Sequence, residues 1–295
     1  MHKPITSGTV VSKPVINRTV LMSDADYFVD TGINSHSNGT EPVVQSRALT
    51  DVRGISEALA RAGVKIEKVP APPDCPDGIF TANWGLNRGD TVILSSLPPQ
   101  RQGEQPYAEA ALRNLGKRLV KPPYRFSGQG DALPCGDLLF AGSNYRTDPR
   151  MHQFLADELG FEVIGVEAVP ELAPDGTPVI NRISGWPDSF FYDLDLGICV
   201  LRPDLIAWYP GAWTEESQDK IRATSVEKIE VTKTEAMNFA CNLVSTGSTV
   251  VMGKAAPKLK AAIESHGIEV TPVDVVELCK GGGFIRCTTL TLDNQ

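Results

Sequence analysis

The chain has 295 residues, of which 41 % are hydrophobic and 22 % charged, and its formal net charge is -8 at pH 7. This acidic balance excludes a general binder of nucleic-acid phosphates, which needs clustered Lys and Arg side chains. No apolar stretch reaches the roughly 18 residues of a membrane helix, and residues 1–20 lack the apolar centre of a secretory signal. We therefore expect a mature globular protein with neither a membrane nor a nucleic-acid partner.

Six cysteines and four histidines are present. The cysteines form no CxxC pair, and a chain of this length needs no disulfides to hold its core. We interpret them as reduced thiols, which indicates a cytoplasmic protein. Neither residue type shows the spacing of a zinc site, so we predict no metal and no cofactor.

Hydrophobic periodicity predicts strands that alternate with helices. A strand at 16–22 is followed by a polar loop at 23–40, a helix at 44–62 that stops at Gly63, and a strand at 64–69. Further strands are predicted at 91–95, 138–141, 161–166, 189–200, 204–207, 228–231, 243–251, 267–272 and 288–292, and further helices at 107–119, 150–159, 215–224, 235–239 and 257–266. The repeated order of strand, turn, strand, helix and strand, without a long linker, predicts a single domain over residues 1–295.

Polar residues recur near predicted strand ends at intervals of about 50 residues. These residues are Asn34, Asn83, Asp131, Asp193, Asn242 and Cys287. Such a period is typical of a radially repeated fold, in which equivalent strand ends meet at one central site. The pattern therefore predicts that these side chains lie close together.

The segment KGGGFIRCTTL, residues 280–290, contains three consecutive glycines before Cys287. Glycines let the backbone approach another group closely, and a core strand has little use for three of them. The neighbouring cation of Arg286 would favour the thiolate. The segment indicates a nucleophilic cysteine, and the alternative is a buried cysteine in a terminal strand.

Two further segments are less specific by themselves. PDGIFTANWGL, residues 76–86, reads as a turn with Asp77 and Gly78 at its corner. FSGQGDAL, residues 126–133, is rich in glycine but lacks the spacing of a dinucleotide-binding fingerprint.

Four segments together resemble motifs of the guanidino-group-modifying (pentein) superfamily, in its branch of arginine dihydrolase, dimethylarginine dimethylaminohydrolase and arginine deiminase. PDGIFTANWGL is similar to the dihydrolase pattern PDxxFTANxGL, and QGDAL at 129–133 to the end of FExxGDxL. GSNYRTD at 142–148 is similar to GxGxRTD, and GGGFIRCTTL at 281–290 to GGGxxxCxT. The resemblance covers residues 20–292. It implies an α/β fold, a five-bladed ββαβ propeller with pseudo-fivefold symmetry and a site on its axis.

The resemblance also implies a Cys-dependent hydrolase that attacks a guanidinium carbon through Cys287 and passes through a covalent thiouronium intermediate. Asn83 and Asp131 match substrate-holding positions, and Asp195 matches a carboxylate that grips the guanidinium. Arg146 matches a residue that pairs with a substrate carboxylate. The expected partner is a small cationic guanidino or amidino compound that carries a carboxylate.

Three positions are less closely defined. Asn34 falls where the family places a mobile loop over the site, and Asn242 is either a site residue or a strand-end amide bonded to backbone. His36, in the same loop as Asn34, offers an alternative base by position alone.

The sequence departs from the family at two positions. Asp193 stands where the family has its catalytic histidine, and Ser127 replaces a glutamate. A free Asp has a pKa near 3.9, compared with about 6.5 for His, so Asp193 needs burial or the nearby Asp195 to act as a base. If residues 193–195 were on a strand, both carboxylates would point to one face.

Several functions stay open at this stage. The first is a hydrolase with Cys287 and Asp193 as its catalytic residues. Others are an amidinotransferase or another Cys-dependent reaction at a C–N bond, and a relative that binds a cationic ligand without turnover. A nucleotide-handling protein lacks the required P-loop lysine and Rossmann fingerprint. A homo-oligomer is also open, because exposed strand edges in such folds often pair.

Overall fold

The architecture consists of five three-stranded sheets in a computed structural model that describes residues 15–32, 41–182 and 185–295. In chain order the strands are β1 (Thr19–Ser23), β2 (Lys65–Val69), β3 (Gly85–Arg88), β4 (Thr91–Leu94), β5 (Arg118–Val120), β6 (Ala132–Cys135), β7 (Leu138–Gly142), β8 (Glu162–Val166), β9 (Ile198–Arg202), β10 (Leu205–Trp208), β11 (Glu227–Glu230), β12 (Val244–Ser245), β13 (Thr249–Gly253), β14 (Glu269–Val273) and β15 (Leu290–Thr291). The helices are α1 (Gln45–Arg61), α2 (Gln105–Asn114), α3 (Met151–Leu159), α4 (Glu215–Ala223), α5 (Lys233–Ala236) and α6 (Pro257–Ser265).

Every sheet has the same internal order. Its middle strand pairs antiparallel with one neighbour and parallel with the other. The middle strands are β1, β4, β7, β10 and β13. A helix connects each middle strand to its parallel neighbour, because parallel strands need a crossover connection. The predicted five-bladed ββαβ propeller is therefore confirmed.

The antiparallel neighbours, β15, β3, β6, β9 and β12, are the inner strands of the ring. They contact one another from sheet to sheet, as β6 does with β9, β9 with β12, and β15 with β3. Each inner strand is preceded by an irregular segment or a 3-10 turn. The five segments before the inner strands therefore converge at the centre.

The helices bury one apolar stripe each against the sheets. In α1 this stripe includes Val52, Ile55 and Leu59, which recur at helical spacing and are fully buried. The helix ends at Arg61, and the following Gly63 has a left-handed φ of +84°. The predicted helix at 44–62 is confirmed, including its stop.

Other predicted elements need correction. The predicted helix at 107–119 ends at Asn114, because Gly116 takes a φ of +75° and β5 follows. The predicted strand at 189–200 is wrong in its first part, where residues 194–196 form a 3-10 turn. Strands β3 and β6 were not predicted, since Arg88 and Pro134 interrupt their apolar patterns.

The first sheet joins distant parts of the chain. Strand β15 pairs antiparallel with β1, with Leu290 opposite Leu21. The backbone N–H groups of Arg18 and Thr19 each donate to the carboxylate of Asp293 at 3.1 Å. The ring of five sheets is thus closed by residues that lie more than 270 positions apart.

No helix within the described ranges combines the length and the apolar character needed to cross a membrane. All six cysteines are free thiols.

Candidate active site

Cys287 lies between a glycine-rich turn and the inner strand β15. The turn at Leu278–Gly281 ends at Gly282, whose φ of +83° is left-handed. At Gly283 an added Cβ would lie 2.3 Å from the ring of Phe80, so only glycine fits there. The carbonyl of Cys287 accepts a hydrogen bond from the N–H of Ala82 at 3.0 Å, which fixes the cysteine against the 3-10 turn at Thr81–Trp84.

Two side chains contact the thiol of Cys287. Its Sγ lies 3.4 Å from Oδ2 of Asp195 and accepts from Nδ2 of Asn242 at 3.1 Å. The N–H of Cys287 in turn donates to Oδ1 of Asn242 at 3.2 Å. Burial, followed by the charge of Asp195, raises the pKa of the Cys287 thiol well above its ordinary value. The group that faces Asp195 in the free protein is therefore a thiol.

Asp193 belongs to a second cluster, together with Asn83 and Ser127. Nδ2 of Asn83 donates to Oδ2 of Asp193 at 2.9 Å and to Oγ of Ser127 at 3.0 Å. Oγ of Ser127 donates to Oδ1 of Asp193 at 2.9 Å. Serine at position 127 thus bonds directly to Asp193.

Asp131 connects the glycine-rich loop to the same centre. Its Oδ1 accepts from the N–H of Leu194 at 3.1 Å, and Leu194 lies between the two aspartates of the 193–195 segment. Burial, followed by the charge of Asp193, raises the pKa of Asp131 and of Asp195. Three buried carboxyl groups thus share one small region, and this arrangement suits a cationic ligand.

A cavity opens beside Cys287, and Arg146 lines it. The guanidinium of Arg146 lies 4.6 Å from the ring centroid of Tyr192 and 5.6 Å from that of Trp186. Asp77 also lines the cavity, and burial raises its pKa to about 6. The cavity therefore combines a cation that can meet a ligand carboxylate with acidic groups that can meet a ligand cation.

The structure brings together most of the residues that were predicted from the sequence. The segments before β3, β6, β9, β12 and β15 carry Asn83, Asp131, Asp193, Asn242 and Cys287, respectively. Ser127, Asp195 and Arg146 belong to the same centre, as their contacts show. Asn34 and His36 lie outside the described residues.

Two expectations about the site are wrong. Asp193 and Asp195 are not on a strand, because a 3-10 turn is formed by Leu194–Leu196. Asp193 contacts Asn83, whereas Asp195 contacts Cys287.

The second wrong expectation is that the cation of Arg286 favours the thiolate of Cys287. The guanidinium of Arg286 donates to Oε1 of Gln129 at 2.7 Å and to the carbonyl of Thr289 at 2.7 Å. With Arg286 so engaged, burial and Asp195 dominate, and the pKa of the Cys287 thiol is raised, not lowered.

Two charged residues that line the cavity were not predicted from the sequence as site residues. Asp77 was interpreted only as a turn corner, although it belongs to the motif PDGIFTANWGL. Arg101 lies in a segment without hydrophobic periodicity, yet only 7 % of it is exposed and it lines the cavity. The high polarity of residues 98–105 concealed a buried cation.

Among the described residues, no group of His, Cys, Asp or Glu side chains has the arrangement of a metal site.

Comparison with known proteins assigns the chain to a family. Residues 30–293 match the family described as N,N dimethylarginine dimethylhydrolase, eukaryotic. The chain belongs to this family. It is 30 % identical over 280 residues to N(G),N(G)-dimethylarginine dimethylaminohydrolase of Mycobacterium tuberculosis, an alignment that covers 95 % of this chain and 87 % of the relative.

Arginine dihydrolases are similar as well. The bifunctional arginine dihydrolase/ornithine cyclodeaminase AgrE of Nostoc sp. is 31 % identical over 274 residues, or 90 % of this chain, but the match spans only 36 % of AgrE. The substrate-bound crystal structure of the N-terminal domain of ArgZ, a cyanobacterial arginine dihydrolase, has a TM-score of 0.84 at 28 % identity and covers 94 % of this chain and 98 % of that domain. A further structure of the ArgZ domain, with a TM-score of 0.83, holds a covalently bound reaction intermediate. The fold is therefore that of the pentein proteins.

Proposed function

We propose that this protein is a Cys-dependent hydrolase that cleaves a C–N bond of an arginine-like guanidino compound. The observation that carries the proposal is the position of the Cys287 thiol, which lies 3.4 Å from the Asp195 carboxylate in a cavity that also has Arg146 in its wall. The covalent intermediate in the related ArgZ domain supports the same chemistry.

In the proposed reaction, the Asp195 carboxylate takes the proton of the Cys287 thiol. The raised pKa of Asp195 makes it a stronger base than a free aspartate. The thiolate sulfur then attacks the guanidinium carbon, and a C–N bond breaks as the departing amine takes the proton that Asp195 had accepted. Water attacks the resulting thiouronium carbon, and cleavage of the C–S bond returns the thiol.

The substrate itself supplies a positive charge next to these carboxyl groups. A guanidinium is permanently cationic and has five donors in a plane. Placed among Asp131, Asp193 and Asp195, it would offset the burial and the repulsion from Asp193 that raise the pKa of Asp131 and Asp195. It would likewise favour the thiolate of Cys287. Ionisation of the nucleophile is thus expected to accompany substrate binding.

Asp193 is proposed as the base that takes a proton from the attacking water, in place of the family histidine. Ser127 and Asn83 hold it by donating to its two oxygens. Asp195 and Asp131 are proposed to bind the guanidinium, and Arg146 the substrate carboxylate. Asn242 orients the thiol through its contacts on Sγ and on the backbone N–H of Cys287.

The proposal is tested by mixing the protein with a panel of guanidino compounds that includes L-arginine and its N-methylated forms. Intact-mass spectrometry should detect an adduct on the native protein, and ammonia or an alkylamine should be released. Cys287→Ser should form no adduct and lose at least about 10³-fold in turnover. Cys279→Ser, whose thiol bonds the carbonyl of Val276 instead, is the matched control and should react normally.

The same experiment separates the alternatives. An adduct that is discharged only when a second amine is added would favour an amidinotransferase. Absence of both adduct and released amine for every compound would contradict the hydrolase.

A further inference from the structure

Arg101 lies directly behind the cluster that holds Asp193. Its Nε and Nη2 donate to the two oxygens of Glu104 at 2.7 and 2.8 Å. Nη2 also donates to the carbonyls of Asp77 at 3.0 Å and Phe80 at 3.1 Å. Nη1 donates to Oδ1 of Asn83 at 2.9 Å. Arg101 is therefore locked in place, with one nitrogen directed at the amide of Asn83.

An arginine can only donate hydrogen bonds. The atom of Asn83 that faces Arg101 must therefore be the carbonyl oxygen of the amide. This fixes the NH₂ group on the opposite side, where it lies 2.9 Å from Oδ2 of Asp193 and 3.0 Å from Oγ of Ser127. The reversed amide would place a donor against Arg101 and an acceptor against Asp193.

The direction of donation continues through Ser127. Nδ2 of Asn83 also donates to the carbonyl of Ser127 at 3.1 Å, and Oγ of Ser127 donates to Oδ1 of Asp193 at 2.9 Å. Both oxygens of Asp193 thus accept hydrogen bonds, which favours the carboxylate over the protonated acid. The reversed orientation of Asn83 would be compatible with Asp193 only if Asp193 carried a proton.

We propose that Arg101, held by Glu104, is a positioning residue that fixes the Asn83 amide and thereby keeps Asp193 ionised in the free enzyme. The role of Asp193 as a base rests on the proposed function, whereas its ionisation can be measured independently. Arg101 would thus keep Asp193 ready to accept a proton from the attacking water.

The groups around Asp193 are mostly acidic. Those that interact electrostatically with it are Asp131, Asp195, Cys287, Tyr192 and Arg101. All of them except Arg101 are acids, which oppose a negative charge on Asp193 when they ionise, and Arg146 is a further cation in the wall of the same cavity. Arg101 is buried with the aspartate and favours that charge both directly and through Asn83.

The test is a titration of Asp193 by carboxyl ¹³C NMR on aspartate-labelled full-length protein, with Asp193→Asn used to assign its resonance. In the native protein the resonance should have the carboxylate shift at pH 7. In the double variant Arg101→Gln/Glu104→Gln, a glutamine can present either its oxygen or its NH₂ to Asn83. The midpoint of the Asp193 titration should then rise by about one pH unit or more.

The double substitution avoids the unpaired buried carboxylate that Arg101→Gln alone would leave. Trp84→Phe is the matched control, since it removes the 2.9 Å bond from the Trp84 indole to Glu104 but leaves Arg101 facing Asn83. It should lower the melting temperature and leave the titration of Asp193 unchanged. If the double variant does not fold, Asn83→Asp replaces the NH₂ by an oxygen and should raise the midpoint in the same way.

Two results would overturn the inference: a protonated Asp193 in the native protein at pH 7, or an unchanged midpoint in a folded double variant. Activity gives an independent readout, because the acid limb of kcat/KM should move up with the NMR midpoint. A native protein that turns over no guanidino compound would reject the proposed function, and the NMR result would still decide the role of Arg101.

Discussion

The thiol of Cys287 and the carboxylate of Asp195 face each other across 3.4 Å, and the pKa of each group is raised above its ordinary value. Burial is the larger cause for both groups. Negative charge on the thiol or on the carboxyl group is therefore unfavourable until a cationic ligand binds. The site therefore stores an unfavourable electrostatic arrangement that a guanidinium can relieve.

This arrangement predicts that Asp195→Asn stabilises the fold while it impairs catalysis. A carboxyl group whose pKa is raised by folding contributes most favourably below its unfolded pKa, and that contribution is lost as the pH rises through the folded value. Asparagine cannot ionise, so the variant should gain about 1–3 kcal/mol in free energy of unfolding near neutral pH. Its kcat should fall about 10²-fold or more.

Urea unfolding at pH 5 and pH 8 measures this effect, and the gain should be larger at pH 8. Asp148→Asn serves as a control of opposite sign, because hydrogen bonds from Arg150 lower the pKa of Asp148 to about 2. It should not stabilise the protein at either pH. A destabilised Asp195→Asn at pH 8 would contradict the argument.

A second prediction concerns Gly130, which has no room for a side chain. An added Cβ would lie 2.4 Å from Nδ2 of Asn83 and 2.8 Å from Oδ2 of Asp193. Gly130→Ala should therefore displace the amide or the carboxylate and reduce kcat/KM by about 10²-fold. Circular dichroism should confirm that the fold is retained.

Gly54→Ala is the matched substitution away from the site. Position 54 lies in α1, where an added Cβ would meet only Val273 at an ordinary 3.6 Å. This variant should keep full activity and gain up to about 1 kcal/mol from helix propensity. Equal losses of activity in the two alanine variants would argue against the specific clash at Gly130.

A third prediction concerns the pH dependence of substrate binding. Burial raises the pKa of Asp77, which lines the cavity, to about 6. Asp77 should therefore become anionic as the pH rises from 5 to 7, and KM for a cationic substrate should fall about tenfold. In Asp77→Asn this fall should disappear, and KM at pH 7 should resemble that of the native protein at pH 5. A KM profile that keeps its slope in the variant would assign the effect to another group.

The fourth prediction tests whether Ser127 and Asp193 act as a pair. The motif resemblance predicts that the family has glutamate and histidine at these positions, and the Oγ of Ser127 lies 2.9 Å from Oδ1 of Asp193. Ser127→Glu alone would place two carboxylates in contact and should reduce kcat about 10²-fold. In the Asp193→His background the same substitution should cost at least tenfold less, because the imidazole can donate to the glutamate. A double-mutant cycle on kcat measures this coupling, and additive losses would mean that the two positions are independent.

The sequence predicted the ring of sheets and the meeting of the polar side chains at its centre, because both depend on repetition. Asp193, Asn242 and Cys287 recur at about the interval of one ββαβ unit, and the structure places each before an inner strand. The alternation of Leu194 with two aspartates imitates a strand, but the backbone forms a 3-10 turn. Local periodicity cannot distinguish these two conformations in so short a segment.

Arg101 was beyond prediction for a different reason. Besides the nearby Glu104, its partners are the carbonyls of Asp77 and Phe80 and the amide of Asn83, 18 or more positions earlier in the chain. No property of the segment around Arg101 indicates that these groups will surround it. Burial of an isolated cation can be inferred only when its acceptors have been placed by the tertiary fold.

The pairing of β15 with β1 has a consequence for synthesis of the protein. Leu290 and Thr291 lie opposite strand residues near the start of the described chain, so their sheet cannot close on a ribosome until translation has passed Thr291. Loop closure over such a separation is slow, so the ring stays open while the other four sheets are already present. Because Cys287 precedes this last strand by only a few residues, the nascent chain would gain its reactive thiol site and its closed ring in the same late step.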